Sequence, residues 1–265
     1  MNGHSIHIYK SLSIFILQDG FSFLILDEHQ IPLEHKAFQL PFMSSISELL
    51  TLIKRYINVT FIEREHIQSV DVIYGNSQFT IVPQDLFDQN YLPHYLKYSS
   101  QLVEGDDFAF DEIPLAKANA VYIPYVNINN YLFHVFGTFT FTHLFTGLIE
   151  KGFINSKTTD EYLLLHSTKH MFYLAAYKNE QLILSNAFTF ETAEDFVYYT
   201  LSTIRELKLN REELVLDFTG DFDKSEDNKA YQILSNYIKT MEFSNKKTPH
   251  LFENQLRFNE HYNLI

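Results

Sequence analysis

Few residues of this chain stand in a setting that could do chemistry, and those that do sit at turns. The sharpest is Gln18-Asp19-Gly20-Phe21-Ser22, a carboxylate, a glycine and a hydroxyl between two apolar runs. Asp-Gly in that position is a strong β-hairpin signal. Further on, His166-Ser167-Thr168-Lys169-His170 gathers two hydroxyls and an ammonium in one short stretch. With backbone N–H donors these groups can touch an anion, and they equally make a plain polar turn. A third candidate is Phe218-Thr219-Gly220-Asp221, where a single glycine closes an apolar run.

The motifs that carry chemistry elsewhere are missing. There is no P-loop and no GxGxxG, and the chain has 8 glycines where average usage would give roughly 18. Loops that cradle phosphate through bare backbone are therefore hard to build. No HExxH occurs, and Glu28-His29 with Glu34-His35 straddles a turn and a strand, which reads as solvated side chains. No GxSxG elbow sets up a serine nucleophile. The absence of cysteine excludes disulfides, thiolate metal sites and Cys nucleophiles, and it fits the cytosol. Tyr131, Phe133 and Phe136 surround His134, but in a chain with 17 Tyr and 25 Phe they read as core packing. No catalytic residue and no metal ligand is nominated.

The elements that must position the three turns follow a pattern that occurs twice. The first copy runs from Leu12 to Ile57 and the second from Glu161 to Leu207, registered on Ala37-Phe38 and Ala187-Phe188. Each reads as two apolar strands around a tight turn, a third strand and an amphipathic helix. Ser44 or Ser45 is positioned to cap the first helix. The following segments predict strands at Ser69–Tyr74, Phe79–Val82, Ala120–Val126 and Thr138–Thr142, with helical stretches at Asp85–Tyr98, Ile128–Phe136 and His143–Lys151. After the second copy come a strand at Glu213–Thr219, a helix at Asn228–Ile238, a strand at Thr240–Phe243 and a terminal helix at His250–His261. Both halves then have the order β-β-β-α-β-α-β-α, the first lobe spanning 1–155 with an insertion at about 60–118 and the second spanning 156–265.

At 265 residues and 46% hydrophobic, the chain can fill one large or two medium cores. A net charge of −13 opposes the phosphate backbone of nucleic acid. The run Leu12–Leu17 lacks the basic start and length of a signal peptide, and no segment approaches membrane-spanning length. The expectation is a soluble, cytoplasmic protein with no direct membrane insertion.

The element order is that of the ribonuclease H-like fold, and two such lobes in tandem resemble the actin-like ATPase superfamily. SVDVIYGNSQFTIVP, followed by AVYIPYVNINNYLFHVFG and TFTFTHLFTGLIEKG, is similar to the pattern of the pilus assembly protein PilM and its relatives. More narrowly, the layout resembles a Bacteroidetes domain of unknown function with an actin-like ATPase fold. The resemblance implies an α/β protein of two lobes, each a mixed β-sheet flanked by helices. It also implies a nucleotide cleft, with Asp19, Gly20, Ser22, Ser167, Thr168 and Gly220 as its cofactor-binding remnant. Within it Asp19 would face a hydrated metal and Ser22 a phosphate.

That cleft departs from the family pattern. Bulky Phe21 follows Gly20, the second turn lacks both acid and glycine, and Gly220 stands where a Gly-Gly pair is usual. The expected reading is a degenerate cleft, no resident cofactor and a scaffold that binds a protein or peptide. The surfaces nominated for that partner are Phe79–Tyr98 and the possible edge strand at Thr138–Thr142. A divergent ATP-binding switch is the alternative. A ribonuclease H-like nuclease, using Asp19 with Asp71 or Asp217 opposite His166, is the third reading.

Overall fold

Two hairpins buried on both faces set the architecture: Lys10–Leu17 (β1) with Gly20–Leu26 (β2), and Glu161–Ser167 (β9) with Met171–Lys178 (β10). Strands without a solvated face belong in the middle of sheets covered on both sides. In the computed structural model, which describes residues 10–60, 67–244 and 261, that is where they lie. The first sheet adds Pro32–Gln39 (β3), Ile67–Gly75 (β4) and Thr140–His143 (β8) in the order β3-β2-β1-β4-β8. The second adds Gln181–Thr189 (β11), Val215–Gly220 (β12) and Thr240–Phe243 (β13) in the matching order β11-β10-β9-β12-β13. In each, the hairpin and third strand are antiparallel and the last two strands run parallel to the first.

The duplication extends to side chains. Phe38 of β3 pairs across from Phe21 of β2, and Phe188 of β11 pairs across from Phe172 of β10. Each phenylalanine pair is met by a helix tyrosine: Tyr56 of α1 (Ile46–Thr60) lies 3.6 Å from Phe38, and Tyr199 of α5 (Ala193–Glu206) lies 4.9 Å from Phe188, between ring centroids. The two helices also start alike. Ser45 and Glu48 exchange hydrogen bonds at the head of α1, and Thr192 and Asp195 form a capping box on α5. Thr192→Ala removes one half of that box, and an equilibrium urea titration should show a loss of about 1 kcal/mol.

Between the sheets runs a shared core. Helix α4 (Leu144–Asn155) follows β8 and packs Leu144, Phe145, Leu148 and Ile149 with Phe15 and Leu17 of β1 and with Leu164, Tyr173 and Tyr177 of the second half. The outer face of the first sheet is covered by α1 and by α3 (Val126–Phe136). That of the second is covered by α5 and by α6 (Lys229–Leu234).

The insertion differs from its expected limits of 60–118. The strand at Ser69–Tyr74 is β4, paired in parallel with β1 along its length, and so it belongs to the first sheet. The strand near Ala120 instead belongs to a small antiparallel sheet. That sheet is built from Phe79–Pro83 (β5), Ala109–Ile113 (β6) and Ala118–Tyr122 (β7) in the order β5-β7-β6, backed by α2 (Leu92–Leu96). The physical reason is the crossover. Once α1 has covered the sheet, the next strand is the one that returns directly beside β1, the usual course of a βαβ connection. Apolar content marks both segments as strands and carries no information about which sheet each joins. The terminal helix expected over His250–His261 lies outside the described residues except for His261, which is helical.

Candidate functional site: the joint between the two hairpins

The hairpin turns Gln18-Asp19 and Lys169-His170 occupy equivalent positions. Leu17 pairs with Gly20 in the first, and the Thr168 N–H donates to the Met171 carbonyl at 2.7 Å in the second. Both turns reach the gap between the halves. The cavity that remains there is lined by Leu17, Asp19, Gly75, Thr168, Met171 and Tyr173, among others, and holds about 10 Å3. Space of roughly 10–15 Å3 is needed for one water. A triphosphate does not fit this cavity.

Three features close the joint. Gly75 lets the chain come so near that an added Cβ would stand 2.3 Å from Leu17 Cδ2 and 3.1 Å from the Tyr173 hydroxyl. Tyr173 fills the space beyond, with its ring centroid 5.7 Å from Phe145 and 6.3 Å from His166. The turns are also latched to the first half. Lys169 Nζ donates to the Leu40 carbonyl at 3.4 Å and His170 Nε2 to the Pro41 carbonyl at 3.1 Å, while Leu40 N–H donates to the Asp19 carbonyl at 2.8 Å.

The six nominated residues divide. Asp19 and Thr168 share the cavity and are both 3% exposed. Burial pushes the Tyr125 hydroxyl up, and the nearby Asp19 carboxylate adds a smaller push in the same direction. Gly20 opens β2. Ser22 is engaged elsewhere: it and Ser13 hold the two ring nitrogens of buried His261 at 2.8 and 2.7 Å. The Ser167 hydroxyl donates to the Thr168 carbonyl at 3.1 Å and the Thr168 hydroxyl to the Met171 carbonyl at 3.0 Å, so both serve their own turn.

Gly220 has φ +77°, and a Cβ there would stand 2.3 Å from the Ser167 carbonyl oxygen. It is needed where β12 ends against β9, and the next residue, Asp221, donates its N–H to that carbonyl at 2.7 Å. Gly220→Ala combines backbone strain with a clash against main chain, and we expect thermal or urea unfolding to show a loss of about 3 kcal/mol.

The nuclease pairs do not assemble. Asp71 stands opposite Ser13 in the ladder, four positions before Leu17 meets Gly75, or about 13 Å down the strand. Asp217 is buried and accepts from the Tyr162 hydroxyl at 2.5 Å and the Ser244 N–H at 3.0 Å, whereas His166 Nδ1 is hydrogen-bonded to the Thr219 hydroxyl at 2.9 Å. Among the described residues, no group of three or more His, Asp or Glu could hold a metal ion.

A polar cluster beside the joint was not legible in the sequence. Asp111 of β6 accepts from the Thr146 hydroxyl at 2.6 Å, the His143 N–H at 2.7 Å and the Tyr122 hydroxyl at 3.0 Å, so it ties the inserted sheet to the start of α4. Burial pushes its carboxyl up, against the pull of those three bonds. His143 caps α4, its Nδ1 accepting from the Phe145 N–H at 3.1 Å. The proton must then sit on Nε2, which donates to the Asn76 carbonyl at 3.2 Å. Burial pushes the His143 imidazole down to about 3. The only sequence signal was a polar residue just before a helix with threonine at its third position.

Comparison with known proteins agrees with this architecture. A Bacteroides thetaiotaomicron protein described as having an actin-like ATPase fold and unknown function superposes with a TM-score of 0.79 at 20% identity, covering 92% of this chain and 93% of that one. A chain of the PilM–PilN type IV pilus biogenesis complex gives 0.55 at 12% identity, covering 96% and 97%. The ethanolamine utilization protein EutJ from Carboxydothermus hydrogenoformans gives 0.50 at 5% identity, covering 96% and 88%. At such identities the likeness establishes the actin-like fold alone. No curated protein matches the sequence. Residues 4–241 match the family model described as protein of unknown function, DUF3822, and the chain belongs to that family.

Proposed function

We propose that this chain is a non-catalytic scaffold of actin-like fold that binds a protein or peptide partner and uses its former nucleotide cleft as a structural joint. The observation that carries the reading is the joint itself: a cavity of about 10 Å3 whose turn hydroxyls and ammonium bond to carbonyls of the chain. A site for Mg-nucleotide needs open space and donors aimed into it. The PilM relative is described in a complex with PilN, which supports a protein partner here by analogy of fold. No helix among the described residues is long and apolar enough to cross a membrane, and we place the chain in the cytoplasm.

The test is capture of crosslinked partners by the tagged chain from its own organism's lysate, followed by reconstitution from purified components. A single partner that rebinds in the absence of nucleotide is the expected result. Recovery of no partner that rebinds would overturn the reading.

A further inference from the structure

We infer that the groove between β5 and β11 receives an extended, uncharged segment of a partner polypeptide, which adds to one of these edges as a further strand. The inference rests on the scaffold reading and names the surface that reading would use. The groove encloses about 1110 Å3 and is lined along its length by both strands. Among the described residues, β5 is outermost in the small sheet and β11 is outermost in the second sheet. An outermost strand presents a row of backbone N–H and C=O groups, and an extended peptide is the ligand that matches such a row. The five residues of β5 give a ladder of about 17 Å.

The internal duplication supplies a control. β3, the counterpart of β11, begins at Pro32 and carries Glu34 and Lys36, whose side chains form an ion pair of 2.7 Å. Proline and charge are the devices that deter pairing at an edge. β11 reads QLILSNAFT and has neither, and β5 reads FTIVP, with no charge and a proline only at its end. Ile183, which a bulge in β11 leaves unpaired, lines the groove and is 38% exposed.

Charge selects the occupant. Of the groove's lining residues only Lys117 and Glu180 are charged, one of each sign, so a segment lying along it gains nothing from charged side chains that it would have to desolvate. Outside the groove, the chain's net charge of −13 favours basic flanking residues.

The test selects a phage-displayed library of random short peptides on the full chain and measures the best binder by fluorescence anisotropy. We expect an uncharged core with basic flanks, and a loss of affinity of roughly tenfold or more in both Thr80→Lys and Ile183→Lys. A synthetic copy of the peptide, N-methylated at alternate core residues, should lose binding to the unaltered chain in one of its two phases only, because alternate N–H groups face the ladder. That arm decides the matter if a lysine variant fails to fold. The inference is overturned by selection of no peptide, by binding that survives both lysines, by equal binding of both methylated phases, or by self-association through the groove in sedimentation. Each of those outcomes leaves the captured-partner result standing and rejects only the groove.

Discussion

Lowering the pH from neutral to 3 should remove roughly 4 kcal/mol of stability through one side chain, His143. Its folded value of about 3 lies below the ordinary 6.5 because burial disfavours the imidazolium. A depressed value means the folded state holds the neutral form while the unfolded chain takes up a proton. The contribution is complete above pH 6.5 and falls by about 1.4 kcal/mol per pH unit as the pH drops towards 3.

The comparison chain is His143→Asn, which keeps an oxygen to accept the Phe145 N–H, since Asn is a good helix cap, but does not titrate. Urea unfolding between pH 7 and pH 4 should show a steeper decline for the native chain by that amount per unit. Asp111, whose carboxyl is raised, works in the opposite sense, its contribution being lost as the pH rises through its folded value, and it is common to both chains. Parallel stability curves would show that His143 is not held neutral.

Asp111→Ala should cost on the order of 4 kcal/mol, because it strands the Thr146 and Tyr122 hydroxyls and the His143 N–H together at a part-buried site. Asp111→Asn keeps an acceptor oxygen and should cost about half as much. The loss should be cooperative with the rest of the chain, since Asp111 joins the inserted sheet to α4 and α4 lies in the core shared by both halves. Urea titration followed by far-UV circular dichroism checks both values. Separate early melting of the inserted sheet in Asp111→Ala would show that the tie does not extend into that core.

Much of the fold was legible because it is written in local patterns. The Asp-Gly turn, the buried apolar runs and the helical spacing of Leu49, Ile53 and Ile57 each follow from residues near one another in sequence. The register of the repeat was also legible, from the matching dipeptides Ala37-Phe38 and Ala187-Phe188. Sheet membership was not. β4 and β7 both read as strands from their residue types, and only the crossover decides that one joins β1 and the other joins the small sheet.

The site was half legible. Asp19 and Thr168 line one cavity, and its closure depends on Tyr173, Gly75 and the latch from Lys169 to Leu40, contacts between residues far apart in the chain. Ser22 looked like a phosphate contact because it follows the turn, and a strand pairing alone does not reveal that His261 lies against it. Asp111 was not legible because it sits in a segment, AFDEI, whose two acids mask a strand.

We propose that the joint between the hairpins is closed and structural. Isothermal titration of the full chain with Mg-ATP at millimolar concentration is the experiment that decides. No saturable heat is expected from the native chain. Saturable heat that disappears in Asp19→Ala and in Thr168→Val would contradict it and would make the joint a working nucleotide switch.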